Sequence, residues 1–219
     1  MSIGVRPQRV LAFGSVLLAA VQVAFSAGLA NAPAAKSDPG ATPACEACHG
    51  AHGEGLLAVH APRIAGQSAD YLKKQLDDYA SGTRDNAVMA MIARTLSDQQ
   101  RTTLAARYAA MSAPYAAQGA SSSAAQLMRG HQLGYQGDEN KRVQACNNCH
   151  GPDGSGLPHS APYLAGQWAE YLASAIKAWQ QGTRKNDAGQ LMSSVAGRLD
   201  DADIAAVTGY YASLGSQAH

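Results

Sequence analysis

The sequence predicts an all-α fold in which one helical domain occurs twice. Three observations lead to this prediction. Apolar residues recur at helical spacing, as in Leu72, Leu76 and Tyr79. No segment shows the sustained alternation of apolar and polar residues that half-buried strands require. The motifs that follow Cys45 also return in the same order after Cys146, which indicates an internal duplication.

The chain begins with a segment typical of exported proteins. Arg6 and Arg9 precede a long apolar stretch, and small residues follow it. This pattern predicts a secretory signal peptide over residues 1–32. A retained membrane anchor is the alternative, because the apolar stretch approaches the length that spans a bilayer. We expect removal of the signal and a periplasmic product.

The remainder is predicted to contain a first domain over residues 33–112 and a second over residues 126–219. A linker rich in Ala, Ser and Gly joins them over residues 113–125. Both copies contain, in this order, the motifs CxxCHG, GxGL, AP, AGQ, YL and GTR, and then a Met and a Leu. Agreement of this length in order and spacing supports two domains of one kind.

Helix boundaries follow from the turn and capping residues. In each domain a helix is expected to stop at the glycine of the GTR triplet, Gly82 or Gly182. A last helix is expected to start at a polar cap, Ser97 or Asp200. The second copy also has a candidate N-terminal helix at Ala124–His131. The segment before the first CxxCH contains several prolines and is not expected to form a good helix.

Two copies of Cys-x-x-Cys-His contain every cysteine of the chain: Cys45, Cys48, Cys146 and Cys149. This is the attachment motif of c-type haem. The thiols form thioethers with the haem, and the histidine that follows, His49 or His150, becomes an axial iron ligand. A CxxC disulfide or one zinc ion held by the four cysteines is the alternative. That alternative leaves the neighbouring histidines and the paired methionines unexplained.

Taken together, these repeated motifs resemble the dihaem cytochrome c4 family of class I cytochromes c, and the resemblance runs from about Cys45 to Leu214. It implies two class I cytochrome c domains, each with a few helices around one covalent haem c. It also implies one His and one Met ligand per iron and a periplasmic electron carrier.

The register of the repeat predicts the methionine ligands. Met192 lies seven residues before Leu199, and the residue seven before Leu96 is Met89. Met91 is the competing candidate, but it has no counterpart in the second copy. The predicted metal ligands are therefore His49, Met89, His150 and Met192.

Further residues are assigned around the haems. The resemblance implies that Pro62 and Pro162 offer their backbone carbonyls to the ring nitrogens of the axial histidines. Arg84 and Arg184, in the GTR triplets, could pair with haem propionates through charge-assisted hydrogen bonds. A solvated cation at a helix end is the alternative for both arginines.

A saturated His/Met iron leaves no open coordination position, which favours outer-sphere electron transfer over catalysis. We therefore expect an electron carrier, not an enzyme, between a quinol-oxidising complex or dehydrogenase and a terminal oxidase. One alternative is a subunit of a periplasmic alcohol or sulfide dehydrogenase. A dihaem peroxidase is less favoured, because it needs a five-coordinate iron. Any membrane association is expected to occur through such partners.

The charge is nearly balanced, with 17 Lys and Arg against 16 Asp and Glu. Removal of Arg6 and Arg9 with the signal would leave 15 of those basic side chains. This balance does not favour a nucleic-acid partner, which bulk electrostatics would have to attract. Redox proteins are the expected partners.

Overall fold

The structure is a computed structural model that describes Met1 and residues 43–112, 122–159 and 161–215. Contacts divide the chain into Met1–Lys36 and Ser37–His219, and the following description concerns the second unit. The predicted signal peptide and most of the predicted linker lie outside the described residues, so the domain limits stay predictions. Within the described part of the chain, no helix is long and apolar enough to cross a membrane.

Helices form both halves, and the described residues contain no β-strand beyond isolated bridges. The all-α prediction is confirmed. The helices of the first half are α1 (Pro43–His49), α2 (Ala69–Ser81), α3 (Ala87–Thr95) and α4 (Asp98–Ala109). Those of the second half are α5 (Ala124–Tyr135), α6 (Asn147–His150), α7 (Ala169–Gln180), α8 (Leu191–Ala196) and α9 (Asp201–Ser213).

The ends of α2 and α7 differ. Helix α2 ends at Ser81, and Gly82 caps it in the left-handed conformation with φ 85°. Helix α7 ends at Gln180, two residues before Gly182, so the predicted stop is displaced. The turn that follows is held by Ala178, whose carbonyl accepts from the N–H of Thr183 at 3.0 Å and of Arg184 at 3.1 Å.

Polar caps start the last helix of each half, as predicted. Ser97 and Gln100 form a reciprocal capping box at α4. At α9 the Asp200 side chain accepts from the N–H of Asp203 at 2.8 Å. These caps satisfy backbone donors that have no partner within their own helix.

The two halves bury different amounts of apolar side chain. The core of the second half centres on α9 and includes Leu133, Ile204 and Tyr211, none more than 2% exposed. The buried cluster of the first half is smaller and contains Leu72, Ala105 and Tyr108. Helix α5 accounts for much of the difference, because it packs along α9 and contributes Leu133.

The close approach of α5 to α9 depends on Gly130. A Cβ at this position would lie 2.2 Å from the Ala206 carbonyl oxygen and 2.5 Å from the Tyr210 Cβ. No alanine can occupy the position unless one helix moves.

We expect Gly130→Ala to lower the free energy of unfolding of the holoprotein by about 2 kcal/mol, the scale of core overpacking. Urea denaturation followed by circular dichroism measures the change. Gly197→Ala is the matched control, because its added Cβ meets nothing closer than 3.4 Å. Equal stability of the two variants would show that the helix contact does not restrict this position.

Candidate haem sites

Both Cys-x-x-Cys-His motifs lie on a helical turn. Helix α1 contains Cys45, Cys48 and His49, and Cys146 is the residue that caps α6. Side chains three and four positions apart share one face of a helix, so each turn presents two thiols and one imidazole together. None of the four cysteines forms a disulfide.

A proline carbonyl orients each histidine. The distance from Nδ1 to the carbonyl oxygen is 2.8 Å for both His49–Pro62 and His150–Pro162. A carbonyl only accepts, so Nδ1 donates its hydrogen and Nε2 is left as the coordinating nitrogen. These hydrogen bonds lie where the sequence predicts them. Ligation of iron by Nε2 remains a prediction.

Burial disfavours the protonated form of both imidazoles. His49 and His150 are each 7% exposed. Desolvation lowers the pKa of both rings, and the hydrogen bond to proline opposes this effect only in part. A neutral ring is the form that binds a metal. Burial also raises the pKa of the Cys146 thiol to about 11 and raises that of Cys45.

The loop between histidine and proline has the same hydrogen bonds in both halves. The Gly53 carbonyl accepts from the N–H of Ile64 at 2.9 Å and of Ala65 at 3.0 Å. The Gly154 carbonyl accepts in the same way from Leu164 and Ala165. The duplication seen in the sequence therefore extends to the backbone geometry around each histidine.

Each predicted methionine ligand lies near the start of a short helix that sequence reasoning did not identify. Asn86 caps α3, and its side-chain oxygen accepts from the Met89 N–H at 2.9 Å. Met192 is the second residue of α8. Both side chains are partly buried, whereas Met91 is 64% exposed. This difference in exposure favours Met89 over Met91, and the ligand assignment stays a prediction.

The structure places Arg84 and Arg184 together between the two halves. They form an antiparallel backbone bridge with each other and are 6% and 5% exposed. The alternative of a solvated helix-end cation is therefore wrong, because contacts from the opposite half cover both side chains. Arg84 Nη2 donates to the Tyr171 hydroxyl at 2.9 Å, and Arg184 Nη2 donates to the Tyr71 hydroxyl at 3.3 Å.

One glutamine joins the two guanidinium groups. Gln75 Oε1 accepts from Arg84 Nη1 at 2.7 Å, from Arg184 Nη2 at 3.1 Å and from Asn186 Nδ2 at 2.9 Å. Neither arginine forms an ion pair with a carboxylate of the described residues. Two buried cations thus share a neutral acceptor, a site that a further anionic group would stabilise.

The buried polar atoms fit a prosthetic group with carboxylates. The indole Nε1 atoms of Trp168 and Trp179 are buried without a hydrogen-bond partner among the described residues. Such donors and the two arginines suit haem propionates. The zinc alternative lacks the necessary geometry, because no group of three or more His, Cys, Asp or Glu side chains of the described chain could hold a metal ion.

The duplicated turns with carbonyl-held histidines define a tandem c-type cytochrome. Residues 128–215 match the cytochrome c family. The solved structure of reduced recombinant cytochrome c4 from Pseudomonas stutzeri is 32% identical with a TM-score of 0.70, covering 78% of this chain and 94% of that one. The chain belongs to the dihaem cytochrome c4 family. It is a cytochrome c4-like electron carrier with two haem c groups.

Two other similar proteins have thiosulfate dehydrogenase in their names. A "thiosulfate dehydrogenase electron acceptor" from Stutzerimonas stutzeri (strain A1501) is 41% identical over 204 residues, 91% of this chain and 94% of that protein. A solved thiosulfate dehydrogenase from Marichromatium purpuratum, in its as-isolated form, is 35% identical with a TM-score of 0.73. That match covers 78% of this chain and 36% of the dehydrogenase chain.

We expect Gln75→Leu to lower the free energy of unfolding of the holoprotein by about 2 kcal/mol, because hydrogen bonds to two buried cations are lost. Urea denaturation measures this change. Gln99→Leu is the control, since Gln99 is exposed on α4. A loss no larger than that of the control would contradict a stabilising role for the shared acceptor.

Proposed function

We propose that His49 and Met89 bind the iron of the first haem, attached at Cys45 and Cys48. His150 and Met192 are proposed to bind the iron of the second. The repeated 2.8 Å hydrogen bond from histidine to proline carries the proposal, because it aligns each ring in the same way. The matched sequence positions and partial burial of Met89 and Met192 support the sulfur ligands.

His/Met ligation suits an electron carrier. A thioether sulfur favours ferrous iron and raises the reduction potential relative to a second histidine. Six ligands also leave no position for peroxide or another substrate. The chain is accordingly proposed to transfer electrons without catalysing a reaction, which counts against a dihaem peroxidase.

Separate Met89→Ala and Met192→Ala substitutions test the ligands. Each variant is expected to lose about half of the long-wavelength charge-transfer absorption that marks sulfur on ferric haem iron, and one of its two haems should shift to a lower potential. Optical redox titration of the purified protein measures both effects.

Met91→Ala is the control and should leave the spectrum and both potentials unchanged. If Met91→Ala abolishes the absorption component that Met89→Ala leaves intact, the ligand of the first haem is Met91.

The proposed electron donor is a thiosulfate dehydrogenase, and the proposed place of reaction is the periplasm. The relative that is 41% identical over 91% of this chain is named as the electron acceptor of such an enzyme. Two irons would let one carrier accept two electrons. A terminal oxidase is proposed to accept the electrons from this cytochrome.

Stopped-flow mixing tests the donor. The oxidised cytochrome is expected to be reduced rapidly when a thiosulfate dehydrogenase and thiosulfate are both present, and slowly when either one is omitted. Absorbance in the α-band region follows the reaction. Equal reduction by thiosulfate without the enzyme would contradict the proposed donor.

A second candidate function is a permanent electron-transfer subunit of the dehydrogenase. The solved thiosulfate dehydrogenase favours this second candidate, because 36% of the dehydrogenase chain is covered by its match to the present chain. Size-exclusion chromatography of the native periplasmic extract separates the two candidates. A diffusible carrier elutes near its own mass, whereas a subunit elutes with the dehydrogenase.

A further inference from the structure

Pro62 and Pro162 are the prolines whose carbonyls accept from the histidines. The residue that follows each of them is bound by the opposite half of the molecule. In the first half this residue is Arg63. The Gln167 side chain binds both backbone groups of Arg63, because Oε1 accepts from the Arg63 N–H and Nε2 donates to the Arg63 carbonyl, each at 3.0 Å. This two-way contact fixes the peptide next to the carbonyl that holds His49.

The second half has the reciprocal contact. Gln67 Oε1 accepts from the Tyr163 N–H at 3.1 Å, and Gln67 Nε2 donates to the Tyr163 carbonyl at 3.5 Å. Tyr163 directly follows Pro162, the residue whose carbonyl holds His150. Both glutamines are buried, at 5% exposure for Gln67 and 3% for Gln167. They belong to the two AGQ motifs of the repeat.

The reciprocal glutamine contacts are unequal, because both Gln167 distances are 3.0 Å and those of Gln67 are 3.1 and 3.5 Å. A side chain next to each proline also reaches across: the Arg63 guanidinium donates to the Gly166 carbonyl, and the Tyr163 hydroxyl donates to the Ala65 carbonyl at 3.0 Å. The Trp168 indole reaches the loop around Pro62, since a Cβ on Gly55 would lie 2.6 Å from Trp168 Nε1 and 2.8 Å from the Pro62 carbonyl carbon. Ser68 occupies the corresponding position of the first half. The nearest atoms around the equivalent Gly156 come from its own half.

We propose that each half positions the proximal histidine of the other, with Gln167 and Trp168 as positioning residues for His49 and Gln67 as the positioning residue for His150. The proposal rests on the proposed iron ligation by these histidines. Its physical basis is a short series of contacts. Each glutamine binds the N–H of a peptide group, and the proline carbonyl of the same peptide group accepts from the histidine Nδ1–H. A firmly held carbonyl strengthens the hydrogen bond that it accepts from Nδ1–H, which makes the ring a more basic iron ligand.

Gln167→Met and Gln67→Met are matched variants that retain side-chain length and remove the hydrogen bonds. Gln167→Met is expected to move the midpoint potential of the first haem upward and to leave the second unchanged. Gln67→Met is expected to do the reverse, by a smaller amount. NMR-monitored redox titration follows each haem separately, with signals assigned from the Met89→Ala and Met192→Ala variants.

Hydrogen exchange supplies a readout that does not depend on potential. In Gln167→Met the His49 Nδ1–H should exchange about tenfold faster, the factor that corresponds to the net stabilisation of one hydrogen bond. The His150 Nδ1–H should keep its rate. Trp168→Ser introduces the residue of the corresponding position and should also accelerate exchange at His49 alone. If Gln167→Met does not accumulate as holoprotein, Gln167→Asn retains both polar groups and should give a smaller effect on the same histidine.

Each outcome decides the proposal. A crossed pattern, in which each variant alters the haem of the opposite half, supports it. Effects on the haem of the same half, equal effects on both haems, or no effect would overturn it. If the unsubstituted protein lacks the charge-transfer absorption of sulfur-bound iron, the proposed ligation fails instead, so the two failures are distinguishable.

Discussion

The hydrogen bond from each proximal histidine to a proline carbonyl is the constraint on which the rest of the structure depends. It links the helical turn of the attachment motif to a loop more than ten residues further along the chain. The loop must therefore fold back on itself, and the Gly53 and Gly154 carbonyls stabilise this return. The same loop leads directly into the AGQ motif and the next helix. Alignment of the histidine that is proposed to bind iron and contact between the halves are thus consequences of one short segment.

A cofactor that lies between helices changes what the protein must bury. Only two Phe and two Trp are present in 219 residues, and the buried cluster of the first half is small. Burial of apolar area stabilises a fold whether that area belongs to side chains or to a porphyrin. Attachment of haem can therefore compensate for the small side-chain core of the first half. The second half packs α5 against α9 as well.

Much of this architecture could be predicted from the sequence, because local chemistry determines it. The attachment motifs, the capping box at Ser97 and the candidate helix from Ala124 all depend on residues within one or two helical turns. Helices α3 and α8 were not predicted, since they are short and have few positions at which periodicity could register. The spacing of the repeat predicts their methionines instead, because Met89 and Met192 lie at matching positions of the two copies.

The burial of Arg84 and Arg184 could not be predicted in this way. A basic residue after a helix is usually solvated, and nothing near either arginine in the sequence indicates otherwise. The tyrosines that contact them lie far away in the sequence, 87 positions for Arg84 and Tyr171 and 113 positions for Arg184 and Tyr71. Sequence periodicity reports on a single element, whereas this burial results from the packing of one duplicate on the other.

Duplication also explains why the two haem sites can be alike in their predicted ligands and different in their surroundings. When two copies of a domain pack on each other, a residue that occurs in only one copy makes the two sides of the contact differ. Gln75 is matched by Ala175 and Trp168 by Ser68, so the shared acceptor and the indole each occur once. Both lie at the contact between the halves, where they alter hydrogen bonding and packing. Residues that occur in only one copy therefore make the two halves differ where they meet.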